Sequence, residues 1–145
     1  MTEAQPIFQK ILVPVDGTGS DQAILGLIRR VARVHGSQLI LLHVADGFMA
    51  RLYRDEADSL EIKGDRRYLG SLVEQLRSEG FKVEAELSFG DPAAEILEIA
   101  EKRGCDLIAM STHGHRFISD LLYGSTVHFV RHRASVPVLL LKAPR

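Results

Sequence analysis

Residues Leu107 to Ser125 read LIAMSTHGHRFISDLLYGS, and the way this stretch begins decides the fold. Leu107 to Met110 is an apolar run without alternation, which predicts a strand buried on both faces, as in a parallel sheet. The run passes directly into Ser111-Thr112-His113-Gly114, and after nine intervening residues comes Gly124-Ser125-Thr126. Apolar spacing from Gly124 onward predicts a helix to about His132, with the glycine and two hydroxyl residues at its start. Strand, glycine turn and hydroxyl-bearing helix start together form an anion-binding arrangement. Glycines admit close approach of an oxyanion, and the first amides of a helix have no partner within it. Phosphate is the ligand this geometry suits. The same residues would also serve as two ordinary left-handed turns and a helix cap, and spacing alone leaves both readings open.

Upstream, the pattern repeats. Lys10 to Asp16 (KILVPVD) predicts a first buried strand whose pairing loosens at Pro14. Gly17 to Ser20 is a turn, with Ser20 as the expected cap of a helix carrying Ala23, Ile24, Leu27, Ile28, Val31 and Ala32 on one face. Gly36 ends that helix. Leu39 to Val44 (LILLHV) is a second buried strand, parallel to the first because a helix connects them. Asp46 to about Asp65 is charge-rich without a clean period, and is expected to be the least ordered segment. A helix condenses towards its end and carries Tyr68, Leu69, Leu72, Val73 and Leu76 up to Gly80. Lys82 to Ser88 alternates polar and apolar, which places this strand near a sheet edge. Gly90-Asp91-Pro92 is a helix start, with Asp91 as cap and Pro92 at the first helical position. Downstream of the glycine loop and its helix, Val136 to Leu141 (VPVLLL) is a fifth strand, its first residues loosened by Pro137.

Strand and helix alternate throughout, so the chain is read as one α/β domain over residues 1–145: an open, doubly wound, five-stranded parallel sheet with helices on both faces. Ligands of such sheets bind beyond the carboxyl ends of the strands, where strand order reverses. If strands one and four are neighbours there, Asp16 and the glycine loop face one crevice.

Composition narrows the function. Eighteen Lys and Arg against nineteen Asp and Glu give a net charge of −1, without the basic face that nucleic acid requires. The single Cys105 excludes an intramolecular disulfide and suits a reducing compartment. The first apolar run is too short for a signal peptide or a membrane span, so a cytoplasmic protein with no membrane partner is expected.

In this order, the segments ILVPVDG, LILLHV, GDPAAEILEIAEKRGCDLIAM, STHG-x9-GS and SVPVLLLK resemble the universal stress protein family across nearly the whole chain. The resemblance implies a Rossmann-like domain of the adenine nucleotide alpha hydrolase type. It also implies binding of ATP, or of ADP or AMP, with Mg2+ as the companion cation. In that picture the base lies near Pro14, Val15, Asp16 and the backbone around Val44. The phosphates lie over Gly114, Gly124, Ser125 and Thr126, with Met110, Ser111, His115 and Arg116 beside them. The resemblance further implies a homodimer joined through the C-terminal strand, Val136 to Leu141. An unpaired apolar edge strand points the same way.

The nucleotide-binding branch of the family carries G-x-x-G-x9-G-[S/T], and here Ser111 replaces the first glycine. If the backbone at 111 needs positive φ, serine costs about 1 kcal/mol; if it is extended, the serine merely adds a hydroxyl. His115 and Asp120 stand where the family often has arginine, and a carboxylate near a triphosphate is unfavourable unless a divalent cation intervenes.

Other chemistries fit less well. His128 and His132 are one helical turn apart, but no acidic or thiol ligand accompanies them at metal-site spacing. His113 and His115 follow strand four, whereas the HxGH signature of nucleotidyl transferases belongs after strand one. There is no P-loop and no serine on a glycine-flanked elbow, so no catalytic residue is nominated. An ATP-binding regulatory domain in a stress response is therefore the leading reading. A nucleotide-free protein–protein interaction module and a slow ATPase are the alternatives.

Overall fold

The computed structural model describes residues 6–45, 60–112 and 120–142. Its elements are β1 (Lys10–Pro14), α1 (Ser20–His35), β2 (Gln38–Ala45), α2 (Leu60–Ser78), β3 (Lys82–Phe89), α3 (Pro92–Lys102), β4 (Leu107–Ser111), α4 (Asp120–Arg133) and β5 (Val138–Leu141). The five strands form one sheet in the order β3-β2-β1-β4-β5, and every pairing is parallel. Strand order reverses between β1 and β4, which are direct neighbours. The alternating strand β3 and the C-terminal strand β5 are the two edges, as the sequence leads one to expect.

The sheet separates two apolar cores because successive side chains of a strand point to opposite faces. Ile11 and Val13 of β1 pack with Ile24, Leu25 and Ile28 of α1 and Leu69, Leu72 and Leu76 of α2. Leu12, between them, packs on the other face with Ile96 and Ile99 of α3 and Val130 of α4. The central strands β1, β2 and β4 therefore read as continuous apolar runs: both faces are covered. Helix α3 starts as expected, with Asp91 accepting a hydrogen bond from the Ala94 amide at 3.0 Å and Pro92 opening the first turn. Gly36 closes α1 in the left-handed conformation at φ 66°.

Four sequence expectations are corrected. Strand β1 ends at Pro14 rather than Asp16, since proline has no amide to continue the ladder. Ser20 is the first residue of α1, and Gly19 precedes it without a side-chain cap. The Asp21 carboxylate in the first turn faces back to the amides of Asp16 and Gly17, before the helix. Of the charge-rich segment 46–65, residues 46–59 lie outside the described residues, but 60–65 belong to α2, and Asp65 is buried. Lastly, α4 begins at Asp120, one turn before Gly124. This start places Gly124 to Thr126 within the helix.

Among the described residues, no helix is long and apolar enough to cross a membrane.

Candidate functional site

At the β1/β4 reversal, a crevice with an empty volume of about 600 Å³, partly open to solvent, lies beyond the carboxyl ends of the strands. Its walls hold Pro14, Val15 and Asp16 after β1, Val44 at the end of β2, and Met110 and Ser111 at the end of β4, with Thr126 from α4. Seven of the residues named from the sequence thus meet in one place. Ser125 lies on the exposed side of α4, and Gly124 is also on that helix. Gly114, His115 and Arg116 lie outside the described residues.

The sequence reading missed several contributors. Leu42 and His43 line the crevice from β2, Ser20 and Asp21 from the start of α1, Pro92 and Ile96 from α3, and Val127 from α4. His43 had a signal, since it is the one polar residue inside LILLHV. Asp21 had a weaker one, as a carboxylate in the first turn of α1.

The segment after β1 is held by side chains. Gly17 has φ 82°, a conformation that costs glycine nothing and turns the chain towards α1. The Asp21 carboxylate accepts hydrogen bonds from the amides of Asp16 at 3.0 Å and Gly17 at 2.8 Å, and from the Tyr68 hydroxyl of α2. Burial pushes the Asp21 carboxyl above the usual carboxylate range; its bonds from Tyr68 and the two amides oppose that rise, and the Asp16 charge adds to it. Asp16 itself accepts from the Thr18 amide at 2.9 Å and from the Thr18 hydroxyl, which closes a side-chain turn and holds the carboxylate at the crevice wall.

On the neighbouring strand, His43 is buried and its Nδ1 lies 2.9 Å from the Val15 carbonyl. Its Nε2 lies 3.1 Å from the carboxylate of Asp65 on α2, also buried. Two polar relays therefore run from α2 to three consecutive residues, Val15–His43–Asp65 to Val15 and Tyr68–Asp21 to Asp16 and Gly17.

The structure settles which conformation Ser111 adopts. It is the last residue of β4, in register with Leu141, and no described non-glycine residue has positive φ. The serine is unstrained, and it contributes to the crevice wall. Ser111→Gly is accordingly expected to lower stability by about 0.5–1 kcal/mol, the usual loss for glycine in a strand, as read by chemical denaturation. A stabilised glycine variant would show strain at 111 and contradict the extended backbone.

Other expected sites can be placed. Cys105 is buried and its thiol is pushed up to about 11, chiefly by burial, which keeps it protonated near neutrality. His128 and His132 are exposed on α4 with ring centroids 4.4 Å apart. Among the described residues, no three His, Cys, Asp or Glu side chains converge as a metal-ligand set.

The wall chemistry is two-sided. Val15, Leu42, Val44, Ile96, Met110 and Val127 supply apolar surface, and Asp16, Ser20, Ser111 and Thr126 supply polar atoms. No lysine or arginine stands among the described residues of the wall. A flat, partly apolar group with hydrogen-bonding edges suits this crevice better than a bare anion does.

The family model of the universal stress proteins matches residues 7–142. Universal stress protein MJ0577 of Methanocaldococcus jannaschii is 26% identical over 155 residues, covering 94% of this chain and 96% of that protein. The solved structure of MJ0577 superposes with a TM-score of 0.83 at 28% identity, covering 96% of this chain and 99% of that one. The universal stress protein from Archaeoglobus fulgidus in complex with dAMP has a TM-score of 0.68 at 21% identity, covering 94% and 99% of the two chains. A universal stress protein in complex with cAMP also has a TM-score of 0.68, at 20% identity, covering 94% and 98%.

Proposed function

Because the chain belongs to the universal stress protein family, we propose that its crevice binds an adenine nucleotide, ATP or its di- or monophosphate, and that the domain acts as a nucleotide-responsive regulator in the cytoplasm. One observation carries this reading: Asp16, the Val44 edge, Ser111 and Thr126 meet in a single crevice at the strand-order reversal. Family members of the same fold hold dAMP and cAMP, which supports an adenine ligand.

The fit of the residues divides the ligand. Adenine and ribose suit the end walled by Val15, Asp16, Val44 and Met110, where apolar surface meets a fixed carboxylate. The phosphates are directed away from Asp16 and Asp21 by charge, towards Ser111 and Thr126. A triphosphate there gains from Mg2+, which would offset its own charge and that of nearby carboxylates. Hydrolysis is not part of the proposal. Asp16 and Asp21 are engaged by the Thr18, Asp16 and Gly17 amides and the Tyr68 hydroxyl, and neither is presented as a base for water.

A second reading, a nucleotide-free interaction module, is favoured by the start of α4. With the helix beginning at Asp120, the amides of Gly124 to Thr126 fall beyond the first turn, where helical pairing occupies them. Mass spectrometry of the small molecules released from natively purified protein separates the two. The expected result is an adenine nucleotide, matched by micromolar binding of ATP with Mg2+ in calorimetry. Protein that purifies empty and takes up no adenine nucleotide at millimolar concentration would establish the module instead.

A further inference from the structure

Helix α4 carries His128 and His132 in its last turns. Positions four apart on a helix stand one above the other, with Cβ atoms about 5–6 Å apart. Both side chains are exposed, and their rings meet edge to face at a centroid separation of 4.4 Å and an interplanar angle of 74°. Among the described residues, no hydrogen bond or ion pair engages either imidazole. Their ring nitrogens are therefore available as ligand atoms, and neither the fold nor the crevice uses them.

Imidazole suits the late first-row divalent ions Ni2+, Cu2+ and Zn2+. Two rings sharing one such ion, with metal–nitrogen bonds of about 2.0–2.1 Å, have centroids roughly 4.5–5 Å apart. The observed separation falls just short of that, and a small rotation of the exposed rings closes the difference. The last carbonyls of a helix carry partial negative charge, which favours a cation at this end of α4. Arg131 and Arg133 oppose it, but both are exposed, where solvent and salt screen them. The Arg133 guanidinium is also drawn over the Phe129 ring, 5.3 Å from its centroid. Among the described residues no third His, Cys, Asp or Glu joins the two rings, so the remaining coordination positions fall to water. That makes an open, exchangeable site, unlike the closed four-ligand kind that holds a fold together.

We propose that His128 and His132 chelate a late transition-metal dication across one turn of α4, and that the ion clamps the end of this helix. The clamp begins one residue beyond Thr126 and Val127, which line the crevice. A bound ion thus stiffens the helix that supplies part of the crevice wall. The site stands apart from the nucleotide reading and does not depend on it.

The test is calorimetric titration of the full chain, free of any affinity tag, with NiCl2, in wild type, His128→Ala and His132→Ala. Wild type is expected to take up one Ni2+ per chain at this pair. Each alanine variant should lower that affinity about a hundredfold, the scale on which a second tethered ligand outweighs a single one. Mg2+, which prefers oxygen ligands, should not compete, and this separates the site from a cation held by nucleotide. Thermal unfolding gives a second readout. Saturating Ni2+ should raise the wild-type melting temperature by about 5 °C and leave both variants unmoved. Both histidines are exposed, so the variants are expected to fold as wild type does, which circular dichroism checks. A wild type that takes up no Ni2+ at millimolar concentration overturns the proposal. So does an unchanged affinity or an equal thermal shift in either variant, which would put the ion on other side chains.

Discussion

Replacing Gly124 with valine is expected to reduce adenine-nucleotide affinity by about a hundredfold or more, while the fold stays as stable or gains a few tenths of a kcal/mol. Gly124 lies inside α4, where glycine is about 1 kcal/mol worse than alanine and also poorer than valine. A helix interior does not need its conformational freedom, so what distinguishes the position is the missing Cβ. Gly124 stands three residues before Val127, hence on the same helix face, and Val127 lines the crevice. If the phosphates run along this helix face, as the family's glycine pattern implies, a bare backbone at 124 leaves room for them. A branched side chain would fill the approach. Calorimetric titration with ATP and Mg2+, run beside thermal unfolding, separates the effects. Undiminished affinity in a folded Gly124→Val protein would mean that this turn of α4 takes no part in binding.

Residues whose chemistry is local were legible in the sequence, and residues whose meaning depends on a distant partner were not. The apolar runs of β1, β2 and β4, the alternation of β3 and the Asp91-Pro92 start each follow from short-range physics, and their order fixes the reversal between β1 and β4. From that reversal the crevice follows, and Pro14, Val15, Asp16, Val44, Met110, Ser111 and Thr126 fall into it. Asp65 was invisible because a carboxylate in a charged stretch reads as solvated surface; its burial depends on His43, twenty-two positions away. Asp21 was passed over for Ser20 because both types cap helices, and only three-dimensional placement shows Asp21 reaching back to the Asp16 and Gly17 amides. The start of α4 was misplaced for a related reason. Gly124-Ser125-Thr126 resembles a cap, yet the helix begins at Asp120.

The unmodified protein is expected to sediment as a homodimer, and the double variant Val138→Pro, Leu140→Pro as a monomer. Strand β5 is the last of its sheet, and all four of its residues are only half-buried. The carbonyls of Pro137 and Leu141 accept from the amides of Ile108 in β4 and of Thr112 just after it, at 3.0 Å and 2.8 Å. Backbone direction alternates along a strand, so the amides and carbonyls of Val138 and Leu140 point away from β4. An exposed apolar strand with aligned donors and acceptors invites a second strand, and a copy of itself about a two-fold axis satisfies both at once. Lysine at 138 and 140 would be a misleading disruption, because Val138 and Leu140 pack against the core formed by Leu12, Ile108 and α3. Proline removes the outward amides, keeps an apolar side chain at each position, and leaves the inward-facing groups of 139 and 141 in place. Circular dichroism of the variant should match wild type, apart from a modest fall in melting temperature from lost packing at Leu140. A wild type that sediments as a monomer at micromolar concentration, or a folded double-proline variant that remains a dimer, would exclude this edge as the contact.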